Sequence, residues 1–177
     1  SNILDNPFES SPCLYVFNDG NPDIRLTQID HLSQQYSASM KRKSTRNKMA
    51  MYNHEGSEYF KEHLSTHLNL TRGMHIQKDN LMITRSTEMS LYILSRLLIS
   101  PGDIVLVGSL SLFTVNMVFQ KAAAQVQTVP VDGEGLQIEY IREQYRPGEI
   151  RLLYLMPNHQ YPTTVYLSAQ RRVELLS

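Results

Sequence analysis

The chain has a single cysteine, Cys13, no tryptophan, and no excess of either charge: 17 Lys and Arg stand against 17 Asp and Glu in 177 residues. One thiol excludes an internal disulfide framework and suits a reducing, cytoplasmic setting. Zero net charge supplies no global field that would recruit nucleic acid or acidic partners. No apolar run approaches the roughly 18 residues a membrane span requires, and no secretory pattern opens the chain. Neither a Gly-x-Gly-x-x-Gly nor a Walker-type loop occurs, so dinucleotide and nucleoside-triphosphate binding have no motif behind them. Internal repeats and low-complexity tracts are also missing.

What remains is a hydrophobic content of 41%, enough for one domain with a core. Residues 1–50 read as an N-terminal arm, a helix and a basic segment. The arm, over 1–16, carries Pro7 and Pro12. Turn chemistry fills Asn18-Asp-Gly-Asn-Pro-Asp23. Thr27 is placed to cap a helix bearing Ile29, Leu32 and Tyr36. Five basic residues follow within 41–48; the stretch reads first as a solvated helix end and loop, and second as an arm contacting phosphate or nucleic acid. From 51 onward the pattern changes. A helix is expected from Ser57 to about Asn69, its apolar stripe formed by Tyr59, Phe60, His63, Leu64, His67 and Leu68. The spacing of His63 and His67 invites a metal, but no third ligand is well placed, and partly buried structural histidines fit better.

Regular alternation follows. Strands are expected over 80–84, 104–107, 126–131 and 151–156, with helices over 87–99, 112–124 and 138–144 between them. Pro101-Gly-Asp103 and Asp132-Gly-Glu-Gly135 are turns, and Ser168 N-caps a last helix with Arg171, Arg172 and Glu174 on its wet side. That order predicts an α/β fold: three layers, αβα, around a mostly parallel sheet with right-handed crossovers. Such sheets bind ligands beyond the carboxyl ends of their strands. Two loops there carry suitable groups. Ser86, Thr87 and Glu88 open an apolar helix, where free N–H groups, the helix dipole and two hydroxyls suit a phosphate, although plain N-capping needs no ligand. Asn158, His159 and Gln160 suit a planar polar ring, and equally well a solvated loop. Cys13 has no base placed beside it.

Taken together, the segments Asn18–Asp23, Tyr52 with Gly56, Thr71-Arg-Gly73, Ile83-Thr-Arg85, Leu98-Ile-Ser-Pro-Gly-Asp103, Val129-Pro-Val-Asp-Gly-Glu-Gly-Leu136 and Pro157-Asn-His-Gln-Tyr-Pro-Thr163 with Arg171-Arg172 resemble one family. It is the large domain of fold-type I pyridoxal-phosphate enzymes and, more narrowly, the aminotransferase-like domain of MocR-type regulators of the GntR group. The resemblance makes 51–177 part of such a large domain and pyridoxal 5'-phosphate its cofactor. It implies that Ser86, Thr87 and Glu88 cradle the cofactor phosphate and that Asn158, His159 and Gln160 lie near the pyridine ring. It also implies that Tyr52 reaches the phosphate of a neighbouring subunit in a homodimer. Where the family has glycine this chain has Ser86, and where it has a ring-stacking tyrosine this chain has Leu112, with Phe113 beside it. No lysine here stands in the context of the family's Schiff-base lysine, so the 177 residues by themselves are expected not to run transamination. The resemblance implies a piece of a cytoplasmic regulator that binds DNA through a winged helix elsewhere and answers to a small amino-acid-like effector. Its alternatives are a piece of a working aminotransferase and a domain kept only for dimerisation.

Overall fold

A computed structural model describes residues 14–15, 24–50 and 53–177. Cys13, the turn segment 18–23, Tyr52 and most of the expected arm lie outside the described residues. The chain divides into two compact units, Ser1–Asn47 and Lys48–Ser177.

In the first unit a short 3-10 turn, Ile24–Leu26, precedes α1, Ile29–Lys41. Gln28, not Thr27, stands at its N-cap, and no side chain bonds there. Arg42 adopts an extended conformation that ends α1, and α2 follows at once over Lys43–Met49. The basic segment is therefore mostly helix rather than helix end and loop. Lysine and arginine are good helix formers, and one extended residue is enough to break the run in two.

The second unit opens with α3, Glu58–Arg72. Here the sequence expectation holds only for Leu64 and Leu68, which are half-buried. Tyr59, Phe60, His63 and His67 are exposed, while Lys61 is 2% exposed and Ser65 is buried. The Lys61 ammonium lies 3.1 Å from Glu58 and 3.6 Å from Glu55. Glu58 also accepts from Lys78 at 2.8 Å. Hydrogen bonds from Lys78 and then Lys61 pull the Glu58 carboxyl down to about 2. Paired on both sides, the amine is buried while the rings of the stripe face outward.

The expected strand at 80–84 is absent. Lys78–Asn80 is a 3-10 turn and the next residues are irregular. Ile83 is tied by one backbone bond, its N–H donating to the Glu55 carbonyl at 2.9 Å, rather than by a ladder. The α/β body then runs α4 (Thr87–Leu98), β1 (Ile104–Gly108), α5 (Phe113–Lys121), β2 (Gln125–Val129), β3 (Val131–Asp132), β4 (Gly135–Leu136), α6 (Ile138–Gln144), β5 (Ile150–Leu153) and α7 (Ala169–Leu176). β2, β1 and β5 form a parallel sheet in that order, and β3 pairs with β4 as a small antiparallel hairpin.

β1 is the axis of this body. Val105, Leu106 and Val107 are fully buried, as a strand covered on both faces must be. Val105 and Val107 pack with Ile99, Val115 and Phe119, the layer of α4 and α5. Leu106 packs oppositely with Val129, Leu136, Ile138 and Leu167, the layer of α6 and α7. The period of two along β1 thus sorts the helices into two layers, giving αβα.

The β3–β4 hairpin is locked to α7. Arg171 donates to both Asp132 carboxylate oxygens, at 2.6 and 2.8 Å, and to the Gly135 carbonyl at 2.9 Å. Arg171 is therefore not on the wet side of α7: its side chain is 18% exposed, while Val173 and Leu176 face solvent. Gly135 sits at a φ of 93°, and a Cβ there would lie 2.9 Å from the Leu167 Cα, so only glycine fits. The guanidinium of Arg171 holds the Asp132 carboxyl well below the usual carboxylate range. A carboxyl lowered on folding stabilises the fold above its unfolded pKa of about 3.9 and loses that contribution as pH falls toward its folded value. In the full-length protein, Asp132→Asn is expected to cost about 1–2 kcal/mol at pH 7, after discounting for the partly exposed pair. The gap to wild type should narrow progressively as pH falls below about 4. Urea unfolding of both proteins across pH 3–7 checks this, and a gap independent of pH would refute the assignment.

Candidate functional site

β1 is followed by β2 on one side and, after a crossover, by β5 on the other. The chain thus leaves β1 in opposite directions, and the crevice beyond the carboxyl ends of β1 and β5 is the switch point where open α/β sheets bind ligands. Two loops leave the strands at this edge, and the start of α4 carries the third set of candidate groups. The loop after β1 leads into Phe113, the first residue of α5. The loop after β5 carries 158–160. A turn of five residues joins α4 to β1, and Ser86, Thr87 and Glu88 stand at the end of α4 opposite that turn.

The β5 loop is bound mostly to itself. Arg172 donates to the Pro157 carbonyl at 2.9 Å and to Asn158 Oδ1 at 2.7 Å. The Gln160 N–H donates to the Val165 carbonyl, and its own carbonyl accepts from Thr164. His159, at a φ of 52°, meets the Tyr166 hydroxyl through Nε2 at 2.7 Å. Of the three motif residues 158–160, only Gln160 is buried, at 5% exposure. Its Nε2 donates 2.8 Å to the Leu110 carbonyl and so ties the β5 loop to the β1 loop. Gly108 makes room for this amide, since a Cβ there would stand 3.1 Å from Gln160 Nε2. The three polar residues of one motif thus do three different things: Asn158 bonds Arg172, His159 pairs with Tyr166, and Gln160 clamps two loops.

At α4, Ser86 is a working N-cap whose Oγ accepts from the Met89 N–H at 3.2 Å. Thr84 and Ser90 brace this cap, Thr84 Oγ1 donating to the Ser86 carbonyl at 3.0 Å and lying 2.6 Å from Ser90 Oγ. The Glu88 carboxyl is held below its ordinary range first by its own backbone N–H and then by Ser86. Thr87, Glu88 and Phe113 are exposed; Leu112 is half-buried against the core instead of facing the edge. Tyr52 lies outside the described residues. Hydroxyls, first-turn N–H groups and the helix dipole are the donors a phosphate takes. The donor set therefore fits in kind, and the Glu88 carboxylate is an internal anion already at that helix start. Arg172 is readable from its motif. Tyr166 and the clamp onto Leu110 are not, because both contacts depend on the folded loop.

No family model matches the chain. Among curated proteins, it is 23% identical over 168 residues to the probable rhizopine catabolism regulatory protein MocR of Rhizobium meliloti, covering 93% of this chain and 32% of that protein. It is 25% identical over 162 residues to the HTH-type transcriptional regulator YdeL of Bacillus subtilis, covering 87% of the chain and 34% of the relative. It is also 26% identical over 106 residues to aromatic-amino-acid aminotransferase 1 of Thermococcus litoralis, covering 57% and 25% respectively. The chain thus spans about a quarter to a third of the length of these relatives. Among solved structures it matches an archaeal alanine:glyoxylate aminotransferase at a TM-score of 0.75 and 26% identity. It matches the kynurenine aminotransferase of Pyrococcus horikoshii at 0.76 and 25%. Each of the two matches covers 88% of this chain and 39% of the other. Parallel order, motif order and relatives agree: the chain has the fold of fold-type I aminotransferases and is similar in sequence both to MocR-type regulators and to aminotransferases.

Proposed function

We propose that these residues are part of the effector domain of a transcriptional regulator, and that the domain takes up pyridoxal phosphate at the edge described above. The observation that carries this reading is coverage. Among the sequence matches, two regulators align over 93% and 87% of the chain, against 57% for the aminotransferase. When bound, the cofactor supplies a carbonyl carbon that captures amino groups, the chemistry by which an amino-acid-like effector would be sensed. In this reading Ser86 and Thr87 donate to the phosphate, and Glu88 turns outward to admit it. Phe113 flanks the ring, and His159 with Tyr166 faces its polar rim. Gln160 keeps the two loops at a fixed spacing. Tyr52 serves the neighbouring subunit of a homodimer, and DNA is bound through a winged helix outside these 177 residues.

A working aminotransferase is the second reading, favoured by the aminotransferase match and the aminotransferase fold neighbours. The full-length protein separates the two. Retention of pyridoxal phosphate through dialysis, specific binding to its own upstream DNA and no turnover of amino acid plus 2-oxo acid are expected. Steady transamination without DNA binding would overturn the regulator. One variant tests the phosphate loop itself. Glu88→Gln removes the internal anion and is expected to tighten cofactor binding about two- to five-fold, the effect of one exposed charge at a helix end. Weaker binding in fluorescence titration would show that Glu88 does not compete.

A further inference from the structure

The basic segment of the first unit is not absorbed by the cofactor site. Between Asp30 and Glu55 the sequence holds no acidic residue, while Lys41, Arg42, Lys43, Arg46 and Lys48 fall within eight positions. In a chain of zero net charge this is a local excess of one sign, balanced elsewhere. Within the unit, seven consecutive residues from Lys41 to Asn47 (Lys, Arg, Lys, Ser, Thr, Arg, Asn) each carry a side-chain hydrogen-bond donor. Lys41, Arg42, Lys43 and Arg46 are exposed, and none pairs with a carboxylate among the described residues. Arg46 Nε donates to the Met40 carbonyl at 3.3 Å, which fixes the root of its guanidinium and leaves the fork to solvent.

Like charges on so short a helix repel one another. Lys43 and Arg46 lie three apart on α2, and no acid at i±3 or i±4 relieves them. Neither α1 nor α2 buries a residue, so no core explains the arrangement. Lysine, arginine, serine, threonine and asparagine are the side chains that contact duplex phosphates. The segment has no aromatic residue on which an unpaired base would stack, which argues for a duplex backbone over a single strand.

We infer that Lys41, Arg42, Lys43 and Arg46 form a second, sequence-independent contact to the phosphate backbone of double-stranded DNA, separate from whatever element reads the bases. This rests on the regulator reading. It is tested in the full-length protein with Lys41, Arg42, Lys43 and Arg46 all replaced by Gln, which keeps helix propensity. Fluorescence anisotropy on the protein's own upstream duplex and on a scrambled duplex is read at several salt concentrations. The slope of log K against log salt falls by about 0.9 for each phosphate no longer neutralised, so a decrease of roughly 3–4 is expected on both duplexes. Cofactor retention serves as the check on folding and is expected to be unchanged. An unchanged slope, with wild-type DNA binding intact, would overturn the second contact and leave the regulator standing. Failure of the wild-type protein to bind either duplex would remove the regulator and this contact with it. Anionic phospholipid vesicles bound by wild type and not by the variant, with DNA binding equal in both, would overturn the DNA contact and reassign the patch to a membrane surface.

Discussion

Ser86→Asp is expected to leave the full-length protein folded and to abolish its uptake of pyridoxal phosphate. The two halves of that expectation come from the same atom. Ser86 Oγ caps α4 by accepting from the Met89 N–H, and aspartate caps about as well as serine, so the helix start is retained. The new carboxylate would stand at the helix end proposed for the phosphate. Two unit charges about 4 Å apart at an effective dielectric of about 20 repel by roughly 4 kcal/mol. After allowance for solvent at this exposed loop, affinity should still fall at least about 100-fold. Ser86→Ala makes the opposite test. It removes the cap, at a cost of about 1 kcal/mol of stability, and introduces no charge. Circular dichroism and cofactor fluorescence on both variants separate cap from ligand. Equal cofactor affinity in wild type and Ser86→Asp would remove the phosphate from the start of α4.

What the sequence discloses and what it hides divide along a physical line. β1 is legible because Val105, Leu106 and Val107 are apolar on both faces, and only a covered central strand tolerates that. The helices α4, α5 and α6 are legible from period and turns. The strand expected at 80–84 fails because alternation of Leu81 and Ile83 is the same whether the backbone joins a ladder or bonds once to the Glu55 carbonyl. β3 and β4 are two residues each, too short to show a period, so their hairpin reads as a bare turn. Arg171 reads as solvated because a helical wheel registers charge and not Asp132, 39 positions earlier. Gln160 reads from its motif as a ring-facing residue, yet its amide is spent on the Leu110 carbonyl, 50 positions away. Local periodicity finds the elements; partners distant in sequence decide what the polar side chains do.

The largest stability effect is expected at Phe119, and its contrast with Phe113 links the core to the site. Both rings belong to α5, six positions apart. Phe119 is 1% exposed and packs with Ile99, Val105, Val107 and Val115. Its ring meets that of Tyr154 edge-on, with centroids 6.1 Å apart. Phe113 is 43% exposed at the start of the helix, on the edge proposed for the cofactor ring. In the full-length protein, Phe119→Ala is expected to cost about 3–5 kcal/mol, the sum of lost transfer energy and the cavity left between β1 and α5. Phe113→Ala should cost under about 1 kcal/mol, because its ring is already half in water. The cofactor should rank the two variants the other way. Losing an aromatic face over the ring weakens binding by about three- to ten-fold in Phe113→Ala. Phe119→Ala protein that is still folded should bind nearly as wild type, because Phe119 lies in the core and not at the edge. Denaturant unfolding and cofactor titration of the same two preparations decide the matter. If Phe119→Ala loses both stability and affinity while Phe113→Ala loses neither, α5 contributes to the site only as packing, and Phe113 has no part in holding the ring.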